Sequence, residues 1–512
     1  VAHAAHARGG GASVVLPLIL LLVILLPFYG GSETELTGDD SRGAGPGRTP
    51  PEAAPVPAAC DGVAIWPGTN IQAVVTAHPP GTTFCIKPGV HRLRRPLVPR
   101  SGDRFVGEGA AVLNGSKLLV SFTRDGNAWV ASRQGQQNPI VGGVCAPRTY
   151  SGCRYANHVF VDDRPLRRVM RRAGVRDGTF YFDYAADKIY VGSNPSGRRV
   201  EAAVARSAFK GIGVGAYNVT VRGLTVEKFA VDYRGAAIEG GRGWLVQENE
   251  VRLNHGTGII GQTIRGNYVH HNALLGLAAN ASRVLIANNE IAANHTWGGF
   301  CDCWETGGAK FVGTKHLTVR ANYVHDNRGP GLWSDFDNIY TLYEDNRIVD
   351  NTGPGIFYEA SFAAVIRNNT IRRNGSGRTG WHQGAGVFVS ASKNVEIYDN
   401  VVDSNRDGIG AVQYSRRGRN PRYGVRELRN LHVHDNLIVM HGGHTGLQTR
   451  YRIYYTRRKN NRFEDNTYRL GCVSKPFVWR DPTGDRDYVE MTKGVWTRLG
   501  NDTNGTFVLT CD

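Results

Sequence analysis

The chain has 512 residues, 41% hydrophobic and 21% charged, with 65 glycines and a formal net charge of +17. That length can bury one large core or several domains, and the wealth of Gly, Asn and Thr favours β-structure and tight turns over a helical bundle. Arginine clusters at 164–172 and 416–429 would attract an anionic polymer, but no nucleic-acid motif accompanies them, and no nucleic-acid partner is expected.

Residues 14–29 read VVLPLILLLVILLPFY, uncharged throughout and preceded by little more than Arg8. The length lies between a signal core and a membrane span, so 1–31 is read as a signal peptide or a membrane anchor, with the anchor favoured. Residues 32–59, rich in Gly, Pro, Ser and acidic side chains, read as a disordered linker. The remainder is then extracytoplasmic, membrane-anchored or secreted. Eight cysteines in an exported chain favour disulfides, and local pairing gives Cys60 with Cys85, Cys145 with Cys153, and Cys472 with Cys511. Cys301 and Cys303, separated only by Asp302, are expected to pair poorly with each other; a zinc site with His295 is an alternative use for them.

Residues 121–205 alternate as VFVDDRPLRRV and GTFYFDYAADKIYVG, which predicts a β-rich insertion walling one side of a groove. Across 206–470 a short block recurs: NEVRLN at Asn249, NYVHHN at Asn267, NEIAAN at Asn289, NYVHDN at Asn322, NRIVDN at Asn346, NTIRRN at Asn369 and NVVDSN at Asn400. Its shortest spacings, 18 and 22 to 24 residues, are those of a solenoid of stacked coils, about three short strands to a coil. Inward asparagines can hydrogen-bond from coil to coil. Residues 471–512 lose the pattern and read as a C-terminal cap, with a helix over DYVEMTKGVWTRLG.

These blocks resemble the right-handed parallel β-helix repeat family, which includes pectate-lyase-like, carbohydrate-active proteins. The resemblance covers roughly 60–475 and implies an all-β solenoid with terminal caps. It makes 60–120 the N-terminal cap and first coils, with Thr69–Ala77 as the capping helix and Pro80–Leu93 as the first strand. It also implies a polysaccharide partner, for which the basic charge of the chain favours an anionic one, but the scaffold hosts several reactions.

Aligning the coils on Leu277, Phe300, Leu332, Ile356, Val387, Ile409 and Leu447 as inward residues puts the residues one and three places later on the outer face. The first ladder reads Ala278, Cys301, Trp333, Phe357, Phe388, Gly410 and Gln448. The second reads Asn280, Cys303, Asp335, Glu359, Ser390, Val412 and Arg450. Asp335 and Glu359 would stand about 4.8 Å apart on neighbouring strands, close enough for one to remain an acid while the other stays ionised. Asp337 lies one outward step further, and Glu305 with Trp304 sits near the same level. Trp333, Phe357 and Phe388 offer exposed rings for a sugar, and His295, Arg328 and His382 enter from the turns as proton carriers or substrate clamps.

Three functions compete: a glycoside hydrolase using the carboxyl pair and needing no cofactor, a polysaccharide lyase or epimerase acting on a uronate polymer, and a non-catalytic glycan-binding protein. The lyase reading would place calcium on Asp335, Asp337 and Glu359. No Ser-His-Asp arrangement, phosphate loop or dinucleotide fingerprint is present.

Overall fold

The computed structural model describes residues 60–136, 142–303, 305–377, 380–414, 416, 418–449, 459–479 and 488–510. The apolar segment 14–29, the linker 32–59, Trp304, Arg450 and Cys511 lie outside them. Among the described residues, no helix is long and apolar enough to cross a membrane.

The asparagine blocks are the corners of a parallel β-helix. In the block at Asn322, Tyr323–His325 forms a three-residue strand whose centre, Val324, is fully buried. The residues just before the two asparagines, Ala321 and Asp326, have φ of 51° and 54°. One left-handed residue turns the chain through each corner, a conformation that Asp and Asn tolerate better than most. Asp345, Asp350, Asn368 and Asp399 repeat the geometry on later coils.

Each corner asparagine then serves the coil above. The Asn322 backbone N–H and its Nδ2 both donate to Asn346 Oδ1, at 3.1 and 2.9 Å, while Nδ2 also donates to the Ile286 carbonyl at 3.0 Å. One ladder runs from Asn249 to Asn466 and a second from Asn254 to Asn405, flanking the middle strand on both sides. Buried backbone groups that a corner would orphan are thereby satisfied.

Among the described residues the coils generate three long sheets of thirteen, thirteen and twelve strands. The interior is one apolar column; on the third sheet Ala309, Leu332, Ile356, Val387 and Ile409 all point into it. The third sheet also presents the outward face that carries the candidate site.

At the N-terminal end the helix Ile71–Ala77 is capped by Asn70, whose Oδ1 accepts from the Ala73 N–H at 3.2 Å. The segment after it forms two strands, Thr83–Ile86 and Gly89–Arg92, in different sheets. At the other end the expected long helix is divided. Val489–Met491 pairs antiparallel with Phe477–Trp479, and only Lys493–Arg498 is helical. Here Asp502 completes the first asparagine ladder: its Oδ1 accepts from the Asn466 N–H and Nδ2, and its Oδ2 from Tyr468 and Trp496.

Between Ser116 and Ala203 two small sheets leave the coil. They are tied back by a buried charge cluster in which Lys228 meets both Glu201 and Asp163, with Arg92 Nη1 2.8 Å from Glu201 Oε1. A short antiparallel contact also joins them to the coil, with Ala146 N–H donating to Gly299 O and Cys301 N–H to Val144 O. Cys60 pairs with Cys85 and Cys145 with Cys153. Cys472 is disulfide-bonded.

Cys301 and Cys303, which the sequence reading expected to pair poorly, are bonded to each other. They lie in a loop rather than a strand, so their Cβ atoms do not have to stay on one extended edge. With both thiols consumed, the zinc reading with His295 falls.

Candidate functional site

Strand register brings the expected ladder together. Trp333 pairs with Phe357 and Asp335 with Glu359, and the next coil continues them with Phe388 and Ser390. The alignment needs two corrections. The strand below Leu332 is Gly307–Val312 rather than the Cys301 segment, so Lys310 and Val312 precede Trp333 and Asp335. Gln448 pairs with Val412 and so belongs to the second ladder.

Lys310 is the residue that sequence reasoning missed. It is buried, its Nζ lies 3.1 Å from Asp335 Oδ2 and 3.7 Å from Glu305 Oε1, and it sits 3.8 Å from the centre of the Trp333 ring. One ammonium therefore gathers two carboxylates against an aromatic face. An excursion that lengthens this coil to 33 residues, against 24 in the next, hid it. Counting back from the next strand, HLTVR, instead of forward from Asn294 would have found GAKFV as the counterpart of GLWSD.

Every carboxylate of the expected site has a cationic partner. Arg416 pairs with Glu359, and Arg426 grips Asp337 with Nε at 3.0 Å and Nη2 at 2.7 Å. Both arginines belong to the chain crossing the outer face between Gln413 and Arg429, the cluster that the sequence read as a lure for anionic polymers. The like-charge contact expected of Asp335 and Glu359 is thus compensated. Access differs sharply: the side chains of Asp335 and Glu305 are 17% and 25% exposed, whereas Glu359 is 4% exposed.

The aromatic row is stacked but not open. Trp333 and Phe357 centroids lie 5.3 Å apart, and those of Phe357 and Phe388 4.6 Å apart. Trp333 and Phe388 are buried, one under Lys310 and the other in a cluster packed by Trp381 and Tyr414. Only Phe357 of the three is partly exposed.

The turn residues are placed differently from the expectation. His295 is buried and bonded to the Arg328 and Phe300 carbonyls, and Arg328 pairs with Asp302 on the loop surface. His382 is buried over Gly410 with neither ring nitrogen hydrogen-bonded; burial brings its pKa down to about 4, so near neutral pH it is an uncharged imidazole. Calcium does not suit this arrangement. Where a cation would sit among Asp335, Asp337 and Glu359, the side chains instead meet Lys310, Arg426 and Arg416.

Comparison with known proteins agrees with the coil geometry. The family described as "right handed beta helix region" matches residues 234–402 and 344–421. No protein of curated function matches the sequence. Among solved structures, the complex of XylC with xylose superposes with a TM-score of 0.56 at 14% identity, covering 72% of this chain and 73% of that one. The A-module of the Azotobacter vinelandii mannuronan C-5 epimerase AlgE6 gives 0.46 at 16% identity over 86% and 94% of the two chains. A Yersinia enterocolitica family 28 exopolygalacturonase gives 0.29 at 11% identity over 80% and 69%. At such identities the likeness is one of fold. Its stacked coils and asparagine corners, with the match over 234–421, give the chain the right-handed parallel β-helix fold.

Proposed function

We propose that the chain is a polysaccharide-active enzyme acting outside the cytoplasm, with its reaction at the outward face of the third sheet. The observation that carries this reading is Lys310 held between Asp335 and Glu305, two carboxylates that solvent reaches and that share this one ammonium. Hydrolysis of a glycosidic bond needs one carboxyl group to protonate the leaving oxygen and a second to act as base or nucleophile. Asp335 and Glu305 are assigned these tasks, and Glu359, locked by Arg416 beside Asp335, positions its neighbour. The disulfides support an oxidising compartment. XylC shares the fold and its structure is a complex with xylose, but fold does not assign a reaction, so the proposal rests on the side chains.

A second reading follows from the interleaved basic groups. Lys310, Arg416 and Arg426 could neutralise a uronate carboxylate and so ease removal of its α-proton, as an eliminating or epimerising enzyme requires. The full chain should be assayed on neutral and acidic polysaccharides for new reducing ends and for near-ultraviolet absorbance, which only elimination generates. Asp335→Asn and Glu305→Gln should each lower turnover about a hundredfold or more, while Asp399→Asn, at a distant corner, should change little. Near-wild-type turnover in both variants would overturn the assignment; binding without turnover would make the protein a glycan-binding solenoid.

A further inference from the structure

The seam between the insertion and the coils holds a pocket of about 240 Å³. Its walls are Tyr150, Arg167 and Arg168 from the insertion and Trp297 with Gly299 from the coil, and His158 also lines it. The walls are braced. The Cys145–Cys153 disulfide fixes the insertion segment, and Ala146 N–H donates to Gly299 O at 3.0 Å. Gly299 has φ of 73°, and a Cβ there would lie 2.5 Å from the Tyr150 ring, so only glycine lets that ring close on the loop. Trp297 is held by its Nε1 donating to the His271 carbonyl at 2.6 Å, and its ring stands edge-on to His158 at 4.7 Å.

The charge balance of this pocket is unusual. Arg168 is 3% exposed, yet among the described residues no carboxylate pairs with it. Its Nη2 donates to the Asn157 carbonyl, its Nε has no partner, and its guanidinium lies 4.7 Å from the Phe180 ring centre and 5.3 Å from that of Tyr155. A buried guanidinium without a counter-ion is costly, and ring faces recover only part of that cost. Arg167 beside it is exposed and likewise lacks a carboxylate partner among the described residues. His158 is 2% exposed with both ring nitrogens unpartnered, and burial with His255 and Arg168 nearby holds it well below its ordinary pKa, hence neutral. The pocket thus offers two positive charges, a neutral donor and acceptor, and the rings of Tyr150 and Trp297.

We propose that this seam pocket binds a carboxylate-bearing sugar residue of an acidic saccharide. The guanidinium groups supply the missing counter-charge for a carboxylate, His158 can serve a hydroxyl, and the rings receive the apolar face of a pyranose. Trp297 and Gly299 come shortly before Glu305 of the Lys310 cluster in the sequence. The choice of a sugar rests on the polysaccharide reading above; the anionic character rests on the arginines alone.

The test is calorimetric titration of the full chain with disaccharides of glucuronate, galacturonate and mannuronate, each against its neutral counterpart, with inorganic sulfate as a control anion. At least one acidic disaccharide should bind at least about tenfold more tightly than its neutral partner. Arg167→Gln, at an exposed position that leaves the core untouched, should remove most of that preference, and Trp297→Ala should weaken binding of the same ligand. Asp399→Asn, at a distant corner, should leave this binding unchanged. Equal binding of acidic and neutral sugars, an unchanged preference in Arg167→Gln, or sulfate binding as tightly as the best disaccharide would overturn the proposal. Acid-selective binding without turnover of any polysaccharide would instead sink the enzyme reading and leave the pocket standing.

Discussion

Gly410 interrupts the outward aromatic row because the ring of His382 lies where its side chain would be: a Cβ there would come 2.3 Å from His382 Cγ. Gly410→Ala must therefore push that ring, and the loop carrying it, off the cluster around Phe388. Overpacking of this kind costs about 1–3 kcal/mol, which urea denaturation would read directly; an unchanged midpoint would show that the loop does not depend on this contact. Residues whose roles depend on strand alternation were legible in the sequence, and Asp335 facing Glu359 is the clearest case. Residues delivered by loops were not. Lys310 was hidden by an excursion of its coil, and the roles of Arg416 and Arg426 depend on how a long segment folds across the face, which periodicity does not encode. Burial was misjudged for the same reason: Trp333 and Phe388 point outward as expected but are covered by Lys310 and by the cluster of Trp381 and Tyr414.

The insertion and the coils are separate elements joined through Lys228 and Glu201, each 1% exposed. Burial alone would raise the Glu201 pKa, but Lys228 and Arg92 outweigh it and hold the carboxyl below its ordinary value; Asp163 is lowered in the same way by Lys228 and Arg199. A carboxylate with a depressed folded-state pKa contributes stability above its unfolded pKa, and loses it as pH falls through the folded value. Attachment of the insertion should therefore be intact above the ordinary pKa of 4.5 and weaken in more acidic solution. Lys228→Met should weaken it at neutral pH as well, by about 3–5 kcal/mol, because it strands Glu201 without its main partner. Amide exchange is the suitable measurement. Residues 116–203 should lose protection while the asparagine corners retain theirs, and simultaneous loss everywhere would mean that the two elements unfold as one. The strands of this insertion were legible from alternation. Its docking was not, because Glu201 and Lys228 meet only when two segments 27 residues apart in sequence come together.

At the scale of the whole molecule, the repeat was the most legible feature because each asparagine block states the same local solution: a left-handed corner, an inward aliphatic residue and a bonded partner one coil away. What such a repeat cannot state is how it stops, since a stack of coils ends on an open apolar column and unpaired strand edges. Here the C-terminal stop centres on Trp496, which is fully buried, stacks on Phe477 at 4.7 Å and packs edge-on against Phe463 and Trp479. Its Nε1 also donates at 2.9 Å to Asp502, the residue that terminates the asparagine ladder. Trp496→Ala removes the ring and a hydrogen bond at once, and should cost about 3–5 kcal/mol. Because each coil contacts only its neighbours, the loss should stay local: exchange protection should fall around Phe463 and Phe477 but persist in the coils near Leu332. The uncovered column end should then drive concentration-dependent association, visible by sedimentation, that the parent chain does not show. A variant that stays monomeric with full protection at Phe477 would show that the strand Val489–Met491, and not the tryptophan, closes the solenoid.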